Sequence, residues 1–177
     1  QSEQNQKNPS SLLNNQPLRQ LIRSRLDFHR IDRNILSGHL RAITVNASSY
    51  TSHDSISFYQ GHADMEPWER EQRRGIPCTL NSEHLVASSA IPMLFPPVKM
   101  MGEFLGDGSV HQLSPLSPAI HLGAKKILII GVEQPEKTSR FTDMNRFPSS
   151  IAIAGHLLDT IFADTLKADL ERLTRIN

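Results

Sequence analysis

Asp107 lies between two glycines in Gly106-Asp107-Gly108-Ser109, where nothing bulky hinders a tight turn that presents the carboxylate. A carboxylate within hydrogen-bond reach of a serine hydroxyl can take its proton and turn a poor nucleophile into a good one. The plainer reading is that Gly-Asp-Gly is a common turn, in which an aspartate bonds its own backbone. Taken alone, the tripeptide favours the turn. His111, four residues on, is a second group that could complete a conventional triad. Cys78 is the sole cysteine, without the surroundings of a cysteine nucleophile and with no partner for an internal disulfide. His84 reads as a capping or surface histidine. Met93, Phe95, Met100 and Met101 could line an apolar pocket, since flexible apolar side chains adapt to varied ligands. Core packing is the commoner use and is expected for at least half of them.

Other chemistries lack their motifs. The chain has no G-x-S-x-G elbow, no P-loop and no H-E-x-x-H. Gly106-x-Gly108 is followed by His111 where a dinucleotide fingerprint needs its third glycine. The eight histidines have no C-x-x-C partner and no tight spacing, so a zinc site is not expected. Asn46-Ala47-Ser48 matches a glycosylation sequon, read here as a chance match at a strand end.

These residues need elements to hold them. Pro17 opens a helical pattern through Leu18, Leu21, Ile22 and Leu26. A second short helix is predicted over Asp32 to Leu36, closed by Gly38. Leu40 to Ala47 and Ser55 to Tyr59 read as an antiparallel hairpin, with His53-Asp54 in its turn. Residues 61–78 look irregular, with Trp68 anchoring them on the core. A helix starts at Asn81 or Ser82, good N-cap types, and ends before Pro92. Glu103 to Leu105 is extended and runs into Asp107; Pro118 to Leu122 is a short helix closed by Gly123. Ile127 to Ile130 reads as a strand buried on both faces of a parallel sheet. A long amphipathic helix is predicted from Ile151 to Leu173. Strands separated by helices, one of them buried, point to an α/β fold.

The chain has 177 residues, 38% hydrophobic and 21% charged, with a net charge of +1 and scattered Lys and Arg. That fits a globular domain and gives no support to a nucleic-acid partner. No apolar run approaches the roughly 18 residues of a membrane span. Without a visible signal or cysteine pairing, the cytoplasm or a membrane periphery is favoured. Residues 1–16, rich in Gln, Asn and Ser, read as a disordered or loop segment. Both ends look cut, which makes the chain a fragment by this reading.

Three adjoining pieces resemble the C-terminal half of patatin-like phospholipases, the bacterial ones in particular. They are Ala87-Ser88-Ser89-Ala90-Ile91-Pro92 through Leu94-Phe95-Pro96-Pro97-Val98, then Gly106-Asp107-Gly108-Ser109, then Pro115-Leu116-Ser117-Pro118-Ala119 through Gly131. The stretch from Ser37 to Gly61 resembles two strands of that family, and the resemblance spans about residues 17 to 177, the C-terminal part of such a catalytic domain. It implies a three-layer α/β/α fold, here incomplete, and a Ser–Asp dyad without metal or cofactor. The family's serine and glycine-rich oxyanion loop would lie upstream of Gln1, and the aspartate of the D-G-G/A motif falls on Asp107. Ser109 stands where glycine or alanine is usual, and Val110-His111-Gln112-Leu113 replaces a segment often rich in asparagine.

The expected function is therefore a lipid acyl hydrolase of phospholipase A or esterase type. Its partners would be a lipid ester at a membrane or micelle surface and the nucleophile-bearing N-terminal part of the same protein. The alternative is an inactive patatin-like module that binds lipid or regulates a partner. Lacking the centre of its sheet, the fragment is not expected to fold well alone.

Overall fold

A computed structural model of the chain describes residues 11–111, 114–130 and 171. The predicted helix from Ile151 to Leu173 lies outside these residues except for Glu171, which is helical. The described part is a mixed six-stranded sheet flanked by helices, an α/β fold.

The first two helices, α1 (Gln16–Arg25) and α2 (His29–Leu36), form where the sequence predicts them. Pro17 occupies the first turn of α1, and Gly38 takes the left-handed conformation (φ 77°) just past α2. Strands β1 (Ala42–Ser49) and β2 (Ser55–Gly61) make the expected antiparallel hairpin, from Ala42 opposite Gly61 to Ser48 opposite Ser55. Branched and aromatic side chains at Ile43, Val45, Ile56 and Phe58 suit a pleated surface.

Residues 61–78 are more ordered than the sequence suggests. They contain β3 (Trp68–Arg70) and β4 (Arg73–Pro77), and β4 runs parallel to β2. Both are too short to show a period; β3 pairs with β4, and β4 with β2. Trp68 does anchor the stretch. Its ring stacks on buried Tyr59 at 5.1 Å between centroids, and His121 meets it edge-on at 4.8 Å. Gly75 makes room, since a Cβ there would lie 2.2 Å from the Trp68 ring.

Helix α3 (Ser82–Ser88) starts at Asn81, whose side chain accepts the Glu83 N–H while His84 Nδ1 accepts the Asn81 N–H. His84 is thus a cap, but a buried one rather than a surface one. Strands β5 (Val98–Met100) and β6 (Glu103–Asp107) follow, and α4 (Ser117–His121) ends before Gly123 at φ 86°. The sheet order is β3-β4-β2-β1-β6-β5, which puts β6 beside β1 inside the sheet.

One face of the sheet carries the core. Ala47, Ile56, Phe58, Val98 and Leu105 pack with Leu80, Val86 and Ala87, and Ile22, Phe28 and Ile31 of the first helical segment close over them. Arg19 of α1 pairs with Glu83 of α3 at 2.9 Å, tying two helices of this layer together.

The expected strand at Ile127 to Ile130 does not form. Those residues have no regular structure, and Leu128 and Ile130 are each 86% exposed. A strand buried on both faces needs a neighbour strand and two covering layers, and the described residues supply neither. The sequon also proves structural: Asn46 lies within β1 with its Oδ1 buried, and Ser48 is fully buried.

Candidate active site

Asp107 is the last residue of β6. Its partner across the ladder is Ala47, so it begins on the core face, beside the C-terminal end of α3. Two carbonyls from that helix end hold the turn. Ala90 accepts the Asp107 N–H at 3.0 Å, and Ser88 accepts the Gly108 N–H at 3.2 Å. The Asp107 carbonyl accepts the Val110 N–H at 3.2 Å.

Within the turn, Asp107 Oδ1 accepts the Ser109 N–H at 2.9 Å. This is the local bond expected of a turn aspartate. It occupies one oxygen, and Oδ2 accepts no hydrogen bond among the described residues. The bond to Oδ1 orients the carboxylate. Position 109 contributes its backbone N–H to this bond, which serine provides as well as glycine would.

The two glycines are required by close approach. A Cβ at Gly106 would sit 2.1 Å from the Tyr50 hydroxyl, and one at Gly108 would sit 2.5 Å from the Asn46 carbonyl oxygen. Burial pushes the Tyr50 phenol above its ordinary range, and the negative charge of Asp107 adds to the shift. Tyr50 therefore stays protonated beside the turn.

The opposite side of β1 presents a polar row, Asn46, Ser48 and Tyr50. Ser48 Oγ accepts the His111 N–H at 2.9 Å and donates to the Gly108 carbonyl at 3.4 Å. Asn46 Oδ1, Tyr50 Oη and His111 Nδ1 are buried without a hydrogen-bond partner among the described residues. The sequence reading missed this row, although polar residues at every second position of a strand with an apolar opposite face were a visible sign of it.

The other candidates separate from Asp107. His111 makes no hydrogen bond to the carboxylate among the described residues; its ring faces His53 at 6.2 Å. Burial and the neighbouring His53 push its pKa down, against the opposite pull of Asp54, so it is a neutral imidazole near pH 7. Cys78 sits 3.5 Å from His84 Nε2, but burial raises the thiol and lowers the imidazole. That is the reverse of an activated thiolate pair. Met100 packs against the core and Phe95 is half-buried, whereas Met93 and Met101 are 65% and 66% exposed.

At the start of β6 an ionic network fixes the strand. Arg74 of β4 lies 2.7 Å from Asp54 and 2.8 Å from Glu103, and Ser49 and Ser52 also donate to Glu103. Glu103 is four residues before Asp107 on the same strand, so the network anchors the start of the strand that ends at Asp107. Among the described residues no helix is long and apolar enough to cross a membrane.

A family model described as Patatin-like phospholipase matches residues 2–120. The match starts before the predicted resemblance and ends within α4, taking in the Asp107 turn. No curated protein and no solved structure matches the chain.

Proposed function

The chain belongs to the patatin-like phospholipase family, with more than half of its length matched, and on that premise we propose that Asp107 is the general base of a Ser–Asp dyad. Membership implies lipid acyl hydrolysis in general. The observation that supports the specific role is the split use of the carboxylate: Oδ1 is held by the Ser109 N–H while Oδ2 accepts no hydrogen bond among the described residues.

The reaction would run in two steps. Asp107 takes the proton of the serine hydroxyl as its oxygen attacks the ester carbonyl, and backbone N–H donors stabilise the oxyanion. The alkoxide leaving group departs with a proton from Asp107, and the acyl group remains on serine. Asp107 then draws a proton from water, which attacks the acyl-enzyme, and passes it to the departing serine oxygen as the fatty acid is released. No G-x-S-x-G occurs in the 177 residues, so this reading puts the serine in a segment upstream of Gln1. The substrate is a carboxylic ester of a lipid, met at a membrane or micelle surface.

The dyad is tested by treating the full-length protein with a fluorophosphonate, which forms a stable adduct on activated serines, and mapping the adduct by mass spectrometry. The expected adduct is on a serine of a G-x-S-x-G segment, with loss of esterase activity in step. An adduct on a serine within residues 1–177 would place the nucleophile elsewhere and refute the dyad as drawn. No adduct and no turnover would leave the inactive lipid-binding module as the better reading.

A further inference from the structure

Two glycines around a functional carboxylate remove side-chain bulk, but they also remove backbone stiffness. The stiffness must come from outside the turn. On the α3 side the carbonyls of Ala90 and Ser88 hold the amides of Asp107 and Gly108. On the other side a single side-chain atom, Ser48 Oγ, holds both the Gly108 carbonyl and the His111 amide. Ser48 is 0% exposed, in the middle of the sheet, with Gly106 opposite it on β6. A buried hydroxyl costs free energy unless its hydrogen bonds are made, and here the two bonds run to Gly108 and His111, one and four residues after Asp107.

Resting on the assignment of Asp107 as the base, we propose that Ser48 is a positioning residue for that base. Its hydroxyl pins the peptide after Gly108 and the amide of His111 to β1, so that rotation about Gly108 cannot swing the carboxylate. Ser48 touches no reacting atom. It acts through the orientation of Asp107, and its removal should slow turnover without altering substrate binding.

The test uses steady-state hydrolysis of a p-nitrophenyl acyl ester by the full-length protein. Ser48→Ala should lower kcat about ten- to hundredfold, the scale of a misplacement near 1 Å, with KM changed by less than about twofold. In an Asp107→Asn background the same substitution should cost nothing further, because the group it positions is gone. A merely structural serine would cost the same in both backgrounds, and that result would overturn the proposal. So would a folded Ser48→Ala enzyme with wild-type kcat. If Ser48→Ala does not fold, Ser48→Cys fills nearly the same space with a much weaker acceptor and is read by the same criteria. Asp107→Asn inactive with Ser48→Ala unimpaired overturns this proposal alone. Asp107→Asn with full activity overturns both it and the assignment beneath it.

Discussion

At the residue scale the turn is built from contacts that leave no room for extra atoms. Gly108→Ala would drive a methyl group into the Asn46 carbonyl, part of the β1 backbone, which cannot give way without opening the ladder. Gly106→Ala would meet the tip of the Tyr50 ring, which can rotate aside. Overpacking of this kind costs about 1–3 kcal/mol. Thermal denaturation should therefore show Gly108→Ala as the more damaging of the two, and the reverse order would mean that Tyr50 is the rigid partner. The turn at Asp107 was legible from Gly-Asp-Gly. Ser48, Asn46 and Tyr50 were not, because their role depends on β1 lying beside β6, a pairing of residues far apart in sequence.

At the scale of elements, local signals served well where they were strong. Pro17, Gly38, Asn81 and Gly123 punctuate helices as their chemistry requires, and the β1–β2 hairpin follows from its alternation. Signals failed where order comes from a partner. β4 pairs with β2 and β3 with β4, and Ile127 to Ile130 stays irregular without a neighbour among the described residues. The last residue of α3 and Ala90 just past it carry the carbonyls that hold the Asp107 turn, so the helix cap matters to the site. Asn81→Ala removes the acceptor for the Glu83 N–H and should destabilise the protein by about 1 kcal/mol. Chemical denaturation that shows no change would mean that tertiary packing alone sets the start of α3.

At the scale of the whole molecule, the ionic network makes stability depend on pH. Burial pushes the Glu103 carboxyl up, but hydrogen bonds from Ser49, Arg74 and Ser52 and the Arg74 charge outweigh it and leave it below the ordinary 4.5. A folded-state pKa below the unfolded one contributes stability that is present above about pH 4.5 and is lost as the pH falls through the folded value. The thermal midpoint should drop on acidification below that point, and Glu103→Gln should flatten the drop. Parallel curves for the two proteins would assign the acid sensitivity elsewhere. The exposed run from Ile127 to Ile130 makes a second whole-molecule prediction. Residues 1–177 expressed alone should self-associate through it, and Leu128→Glu with Ile130→Glu should reduce the association in sedimentation velocity. A wild-type segment that stays monomeric at high concentration would show that the run is covered.

The central claim is that Asp107 is the base of an acyl hydrolase, and its most direct test is Asp107→Asn in the full-length protein. The substitution keeps an Oδ1 able to accept the Ser109 N–H and removes the negative charge, and with it the ability to take a proton. Initial rates on p-nitrophenyl acyl esters of several chain lengths should fall by about 10²–10⁴ while the unfolding transition stays in place. A folded Asp107→Asn protein with wild-type rates would contradict the account and reduce Asp107 to a turn residue.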